Sequence, residues 1–589
     1  MKNLYFFQCQ EAYGNSIYLP YTSGILFAYV NQFEHIKNNF MLADIFFEKR
    51  SVNDYLTAID NPGVVCFSNY GWNTVYHFTL AKLIKEQYPQ CVIIVGGPNS
   101  QQTESYLRLH SYVDYWAWGE GEQTLLDLLT GLINNCVENI EGISFIKKNE
   151  LVKNPQRSRK TDLDTVPSPY LTGIFDHFFT RYEYNFMPVW ETNRGCPYHC
   201  TFCDLGADYY NKLHKFSTDR LLSEIDWFSK NKIEYVEVAD ANFGILERDL
   251  DLALRIRQKN LETGFPKKIN ATWAKNNPNR VFTMSQILND INRGGVTLAL
   301  QSTNNNALSN IKRFNIVNTR LEDVAKKYAE AGIATYHDFI LGLPGETFES
   351  WRDGLLYVID INPESWIFGH PLEAYQNTEF ADKDYIERFK LKSVSTPQVS
   401  FFAKRNKQIP IEIGTYIVET NTMTYDDYIE SFLFKWFLIS NHSLGWTNHI
   451  SKNTGSRPSE FYKKLWDWVK LTPNCLIREQ LELTMHFLID TLEHGEFWGR
   501  QLFGEDDVYW EYESASCIAY ELDRQRYFNE MSNFMLTNFP LVDKEIVSQN
   551  DQQLISFNRK YPNRQVYETF EIFCREIYWY GRRRKAWQV

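Results

Sequence analysis

Asn193-Arg194-Gly195-Cys196-Pro197-Tyr198-His199-Cys200-Thr201-Phe202-Cys203-Asp204 decides how the rest of this 589-residue chain is read. Three cysteines spaced C-x3-C-x2-C follow a short apolar run at 189–192. Thiolates are the soft ligands that iron–sulfur clusters require. Three of them cover three irons of a cubane and leave the fourth open to chelate another molecule. A structural zinc ion wants four ligands. His199 is the only nearby fourth candidate, and its place beside Cys200 in a short loop suits that geometry poorly. The chain has ten cysteines, and only these three are tightly clustered. In a reducing compartment such a cluster means metal and not a disulfide.

Outward from this loop the chain alternates strands and helices. Apolar runs at 189–192, 235–239, 269–273, 297–301, 335–341 and 365–369 recur about every 30–45 residues, the size of one βα unit. Six units predict a partial (β/α)6 TIM-like barrel over 188–385. Gly342-Leu343-Pro344-Gly345-Glu346 follows the fifth run, and its glycines allow close backbone approach. Ahead of the barrel, apolar runs at 4–9, 41–47, 63–68, 92–96 and 113–118 alternate with helical stretches such as 73–87 and 123–132. That pattern predicts an α/β doubly wound, Rossmann-like domain over 1–140. Residues 141–187 read as a connector holding a hairpin. Residues 386–589 read as a mostly helical C-terminal domain, with helices expected at 425–439, 459–469 and 477–494.

Bulk properties narrow the function. The net charge of −12 argues against nucleic acid or an anionic membrane as partner. Arg582-Arg583-Arg584-Lys585 is read as a solvated tail. No apolar run reaches the ~18–20 residues of a membrane span, and the N-terminus lacks a signal peptide's apolar core. A cytoplasmic location is expected. Aromatic residues make up 16%, which suits core filling and a large organic ligand equally.

The cysteine loop resembles the radical S-adenosylmethionine (SAM) superfamily, whose members share C-x3-C-x-Φ-C with an aromatic Φ, here Phe202. The resemblance implies a 4Fe–4S cluster held by Cys196, Cys200 and Cys203, SAM on the open iron, and a 5′-deoxyadenosyl radical as hydrogen abstractor. It also implies SAM contacts at Gln301 and Ser302 after the fourth strand, at Arg313, and at Gly342, Pro344 and Glu346 after the fifth. Where relatives carry G-G-E after the second strand, this chain carries Asp240-Ala241-Asn242, and Asp240 is expected to take the ammonium-binding role.

The N-terminal domain resembles that of the cobalamin-dependent subclass. The matching segments run from Val92 to Gly96-Gly97-Pro98 and through Trp118-Gly119-Glu120-Gly121-Glu122. Ser68, Asn69, Tyr70 and Trp72 are added as corrin contacts by position. The subclass's D-x-H-x-x-G is absent; Cys9-Gln10-Glu11-Ala12-Tyr13-Gly14 stands there. The expected function is methylation of a carbon centre of an organic substrate, a small molecule or peptide, through the radical and methylcobalamin. A flavodoxin- or ferredoxin-like electron donor is implied, and the C-terminal domain is expected to cover the substrate. The alternatives are a radical rearrangement, cyclisation or oxidation with the same cofactors, and a non-catalytic iron–sulfur or cobalamin-binding protein.

Overall fold

Val64, Val65, Cys66 and Phe67 are apolar at every position, so their strand must be covered on both faces. The computed structural model supplies that cover. It describes residues 1–553 except 276, 315–317, 402–404, 503–506 and 544, and the Arg582–Lys585 run lies outside the described residues. Phe7, Val65, Phe67, Ile93 and Val95 pack on one face of the first sheet, and Leu4, Phe6, Val64, Cys66 and Ile94 on the other. Five parallel strands lie in the order Phe40–Glu48, Lys2–Gln10, Pro62–Ser68, Val92–Gly96, Tyr115–Ala117. Their topological switch point falls between the first and third strands in sequence, where such sheets bind ligands at the carboxyl ends. The hairpin Ile143–Lys147 and Glu150–Lys153, expected in the connector, pairs antiparallel with Tyr115–Ala117 and extends this sheet.

Strand Ser16–Tyr18 leaves the sheet and pairs in parallel with Asn185–Met187, just ahead of the barrel. The six barrel strands are Val189–Trp190, Tyr235–Phe243, Lys268–Trp273, Val296–Thr297, Thr335–Leu341 and Trp366–Pro371, all parallel in two groups of three. The groups are laced together by Arg293 N–H to Ile269 O (2.9 Å) and Ile269 N–H to Ile291 O (2.8 Å). The fourth strand is shorter than expected, ending at Thr297, and Gln301 beyond it takes a left-handed φ of 66°. Trp190 lies edge-on to Phe228 of the first barrel helix, and Phe339 edge-on to Trp351 of the last. The alternate residues Glu191, Glu237, Ala239, Asn270, Thr272 and Asp338 therefore face the lumen.

Residues 386–553 are mostly helical, with Tyr425–Leu438, Pro458–Leu471, Leu476–His494, Tyr512–Leu522 and Arg524–Asn538 as the longer helices. An unexpected hairpin, Lys392–Pro397 with Ile413–Glu419, precedes them. It hooks onto the loop after the sixth barrel strand through Ile417 N–H to Leu372 O (2.9 Å) and Ala374 N–H to Thr415 O (2.8 Å). Trp351 Nε1–H donates to Ser431 O (3.1 Å), so barrel and helical region share one core. Among the described residues, no helix is long and apolar enough to cross a membrane.

Candidate active site

The cysteine loop leaves the first barrel strand and is pinned at several points. Cys196 N–H donates to Tyr210 O (2.9 Å), Thr201 N–H to Ile311 O (3.2 Å) and Cys203 N–H to Cys200 O (3.1 Å). Burial pushes the Cys203 thiol up to about 11, with the sulfurs of Cys200 and Cys196 adding like charge nearby. The three sulfurs thus share one site, and deprotonating them calls for a compensating metal charge. Asn242 Nδ2–H donates to Cys196 Sγ (3.3 Å) and Arg313 to Cys200 Sγ (3.6 Å). Such bonds tune an iron–sulfur cluster. His199 is turned toward Asp208, 3.4 Å away. Among the described residues, no three His, Cys, Asp or Glu side chains converge on a single ion. Three thiolates without a fourth protein ligand are the donor set of a cubane with one open iron.

A cavity of about 1100 Å³ borders Cys200. Ser302 and Arg313 line it, joined by Lys275, Lys312 and Phe314. Its size suits a nucleoside-sized ligand. Burial, and then the charge of Arg313, lowers the Lys275 ammonium to about 8.

Other expected SAM contacts are engaged with protein. Asp240 is buried beneath the loop and accepts from Thr192 N–H (2.7 Å), Thr192 Oγ1–H (2.5 Å), Asn193 N–H (3.2 Å) and Asn193 Nδ2–H (2.6 Å). Its oxygens tie the first strand to the second, so they are not offered to an ammonium. Glu346 accepts from Ser302 and Ser350. Gly342, at φ +99°, is approached by the C-terminal hairpin: a Cβ there would lie 2.8 Å from Ile417 O. Pro344 O accepts from Asn310 Nδ2 (3.0 Å). Gln301 keeps a buried Oε1 without a partner.

Beside the first sheet's switch point, Ser68 and Gly96 are paired ends of the next two strands. Gly97, at φ +105°, packs so close to the Asn69 backbone that a Cβ would overlap it. Asn69 Nδ2 and Ser100 Oγ are buried there without partners, the polar signature of a site made for a ligand. Tyr70 and Trp72 stack at 4.5 Å and 7°, with Trp72 53% exposed. The 119–122 loop is different. A Cβ on Gly119 would lie 2.7 Å from Tyr209 OH and one on Gly121 3.0 Å from Leu26. Glu120 is held by Arg159 Nε (3.0 Å) and Lys160 N–H (2.8 Å). Glu122 pairs with Arg194 (2.7 Å), which also meets Glu191 (3.0 Å). These residues dock the first domain on the cysteine loop. Pro98 O accepts from Asn377 Nδ2, and Gln101 meets Gln376 (2.6 Å). The carboxyl-end loops of both sheets thus face each other.

The pattern of the Radical SAM superfamily matches residues 190–357. The chain is 32% identical over 473 residues, 78% of its length and 69% of the relative's, to cobalamin-dependent radical SAM methyltransferase TokK of Streptomyces tokunonensis. The chain belongs to the cobalamin-dependent radical SAM methyltransferases. A second relative, 2-(S-pantetheinyl)-carbapenam-3-carboxylate methyltransferase of Streptantibioticus cattleyicolor, is 30% identical over 78% of this chain and 69% of its own. In fold, the cobalamin-dependent SAM radical enzyme OxsB matches at TM-score 0.57, 14% identity, over 94% of this chain and 84% of its own. TsrM from Kitasatospora setae matches at TM-score 0.52, 13% identity, over 71% and 86%. As a member of this family the chain is a methyltransferase that works with a 4Fe–4S cluster, SAM and cobalamin, on an organic substrate and with a reductant.

Three features of the site escaped the sequence reading. Lys275 follows a strand whose end carries no motif. Arg194 and Glu122 sit beside recognised motifs, but their pairing joins two domains. Glu412, far along the chain, accepts from Val75 N–H (2.8 Å) and Tyr76 N–H (3.1 Å) at the start of helix Thr74–Gln87.

Proposed function

We propose that the methyl acceptor is a carbon atom of a small organic molecule held between the first sheet's carboxyl-end loops and the barrel mouth. The facing of those loops across Pro98–Asn377, Gln101–Gln376 and Glu122–Arg194 carries this reading. Cys196, Cys200 and Cys203 hold the cluster; Arg313 and Lys275 receive the SAM carboxylate, and Ser302 its ribose. Asn69, Ser100, Tyr70 and Trp72 hold the corrin. Bound there, SAM and the cluster supply the hydrogen-abstracting radical and cobalamin supplies the methyl group. The chain's own part is to align the groups, exclude water and keep the substrate radical from other partners. A low-potential donor of the flavodoxin or ferredoxin class delivers the electron, and free cysteines suit a reducing cytoplasm.

The Streptantibioticus relative suggests the substrate class, a carbapenam carboxylate with a pantetheinyl arm. The test is anaerobic reconstitution with cobalamin, a reductant, methyl-deuterated SAM and 2-(S-pantetheinyl)-carbapenam-3-carboxylate. Product carrying the labelled methyl, with matching 5′-deoxyadenosine, is expected. Steady 5′-deoxyadenosine release with unmodified carbapenam would reject this substrate class.

A further inference from the structure

The barrel lumen holds a dyad that the functional reading does not use. Asp338 on the fifth strand faces the lumen. In the parallel register Asp338 lies beside Phe368, and Ile340 beside His370. His370 therefore ends the lumen-facing row of the sixth strand, at the carboxyl end where barrels place their chemistry. Its Nε2 lies 3.5 Å from Asp338 Oδ1, and its side chain is 61% exposed. Ala239 and Thr272 across the lumen are exposed as well, so this part of the barrel is open space. Three residues on, Glu373 accepts from Gln398 Nε2 of the C-terminal segment (3.0 Å). Tyr375, two residues further in that loop, packs toward Gly71 of the first sheet's switch-point loop. The dyad thus stands beneath the gap that the corrin loop and the cysteine loop enclose.

We infer that His370, oriented by Asp338, is a substrate-binding residue that accepts a hydrogen bond from an O–H or N–H group of the methyl acceptor. Nε2 is the ring nitrogen nearest Asp338 Oδ1, and a proton held there leaves Nδ1 as the acceptor. Asp338 beside the imidazole favours a donor group over a carboxylate there. His370 is a binding residue, and Asp338 is a positioning residue acting through it. This rests on the acceptor lying between the two domains, and it adds which chemistry recognises it. A pantetheinyl arm offers hydroxyl and amide N–H donors, so S-methylpantetheine is a suitable probe.

The experiment uses the reconstituted holoenzyme with cluster, cobalamin and SAM. Calorimetry measures S-methylpantetheine binding to wild type, His370→Ala, His370→Gln and Asp338→Asn. Wild type should bind; His370→Ala should weaken binding about tenfold or more. His370→Gln, which restores an acceptor, should recover part of the loss, and Asp338→Asn should fall between. Iron and cobalamin contents should be unchanged, which separates a binding role from a structural one. No binding by wild type, or equal affinity in wild type and His370→Ala, overturns the inference. Intact probe binding without methyl transfer to the carbapenam overturns the functional reading alone.

Discussion

Glu412→Ala tests how the C-terminal region supports the cobalamin end of the first sheet. Glu412 is 5% exposed. Its carboxylate lies 3.3 Å from Lys49 Nζ, and the Lys49 side chain is 4% exposed. The same carboxylate accepts the Val75 and Tyr76 amides, donors that an α-helix cannot satisfy internally. Removing one member of a buried pair costs about 3–5 kcal/mol, because the other charge is stranded. Losing an acceptor at a helix start adds about 1 kcal/mol. Glu11, 3.9 Å from Lys49 and 42% exposed, recovers part of this. A net loss of about 3 kcal/mol is expected, which raises the local opening constant more than a hundredfold at ~1.4 kcal/mol per factor of ten. Native-state hydrogen exchange reads it directly: the Val75 and Tyr76 amides should lose about two orders of magnitude of protection. Cobalamin content should fall in parallel, since the Tyr70–Asn73 turn leads into this helix. Lys49→Met with Glu412→Leu removes both charges and should restore much of the lost stability, read at the other amides of helix Thr74–Gln87, while the Val75 and Tyr76 amides stay without their acceptor. Unchanged exchange in Glu412→Ala, or a double variant as loose as the single one, would refute the reasoning.

Three further predictions follow from the site. Cys196→Ala, Cys200→Ala and Cys203→Ala should each lose the cluster, where wild type holds about four irons per chain; stoichiometric zinc without iron after anaerobic reconstitution would reject the assignment. Bound cobalamin should show no histidine nitrogen on cobalt. The reason is that His77, at the switch point, already engages Asn69 Oδ1 (2.9 Å) and Cys9 N–H (3.2 Å) through its two ring nitrogens; nitrogen splitting in the spin-resonance spectrum of reduced cobalt would contradict this. Asp240 is raised by burial from 3.8 to about 7. Its contribution to stability is therefore full below about pH 4 and is lost as pH rises toward 7, at ~1.4 kcal/mol per unit while only the unfolded chain is ionised. Asp240→Asn should flatten the fall in thermal midpoint across that window, and parallel profiles for the two proteins would disprove it.

What the sequence revealed and what it hid divide along sequence separation. The period of the βα units located every barrel strand, because alternation of a buried strand with a helix is a local pattern. It located 92–96 to the residue for the same reason. The cysteine triad was legible because its ligands lie within eight residues. The hairpin at 392–397 was not, since Lys392-Ser393-Val394-Ser395-Thr396-Pro397 is largely exposed and only Thr396 is buried. Nothing in such a segment marks a strand until its partner, across a long loop, is known.

The same limit governs side chains whose contacts within the protein the sequence did not announce. Asp240 stands at a strand end, as expected, but its four donors come from Thr192 and Asn193, 47–48 residues earlier. Gly342 has the backbone freedom its motif announces, yet what approaches it is Ile417 O. Gly119 and Glu120 follow a strand end, yet they meet Tyr209 and Arg159. In each case a polar or glycine residue at a carboxyl-end loop is spent on joining elements distant in sequence. A site between two domains requires this. Its walls must hold a fixed separation while a substrate atom lies between two large cofactors, and buried bonds such as Arg194–Glu122 and Glu412–Lys49 resist that separation changing. On the proposed function, the residues left for ligands are those with unspent valence: Asn69 Nδ2, Ser100 Oγ and Gln301 Oε1, buried and unpartnered, and the cysteine sulfurs that protonation alone would leave inert.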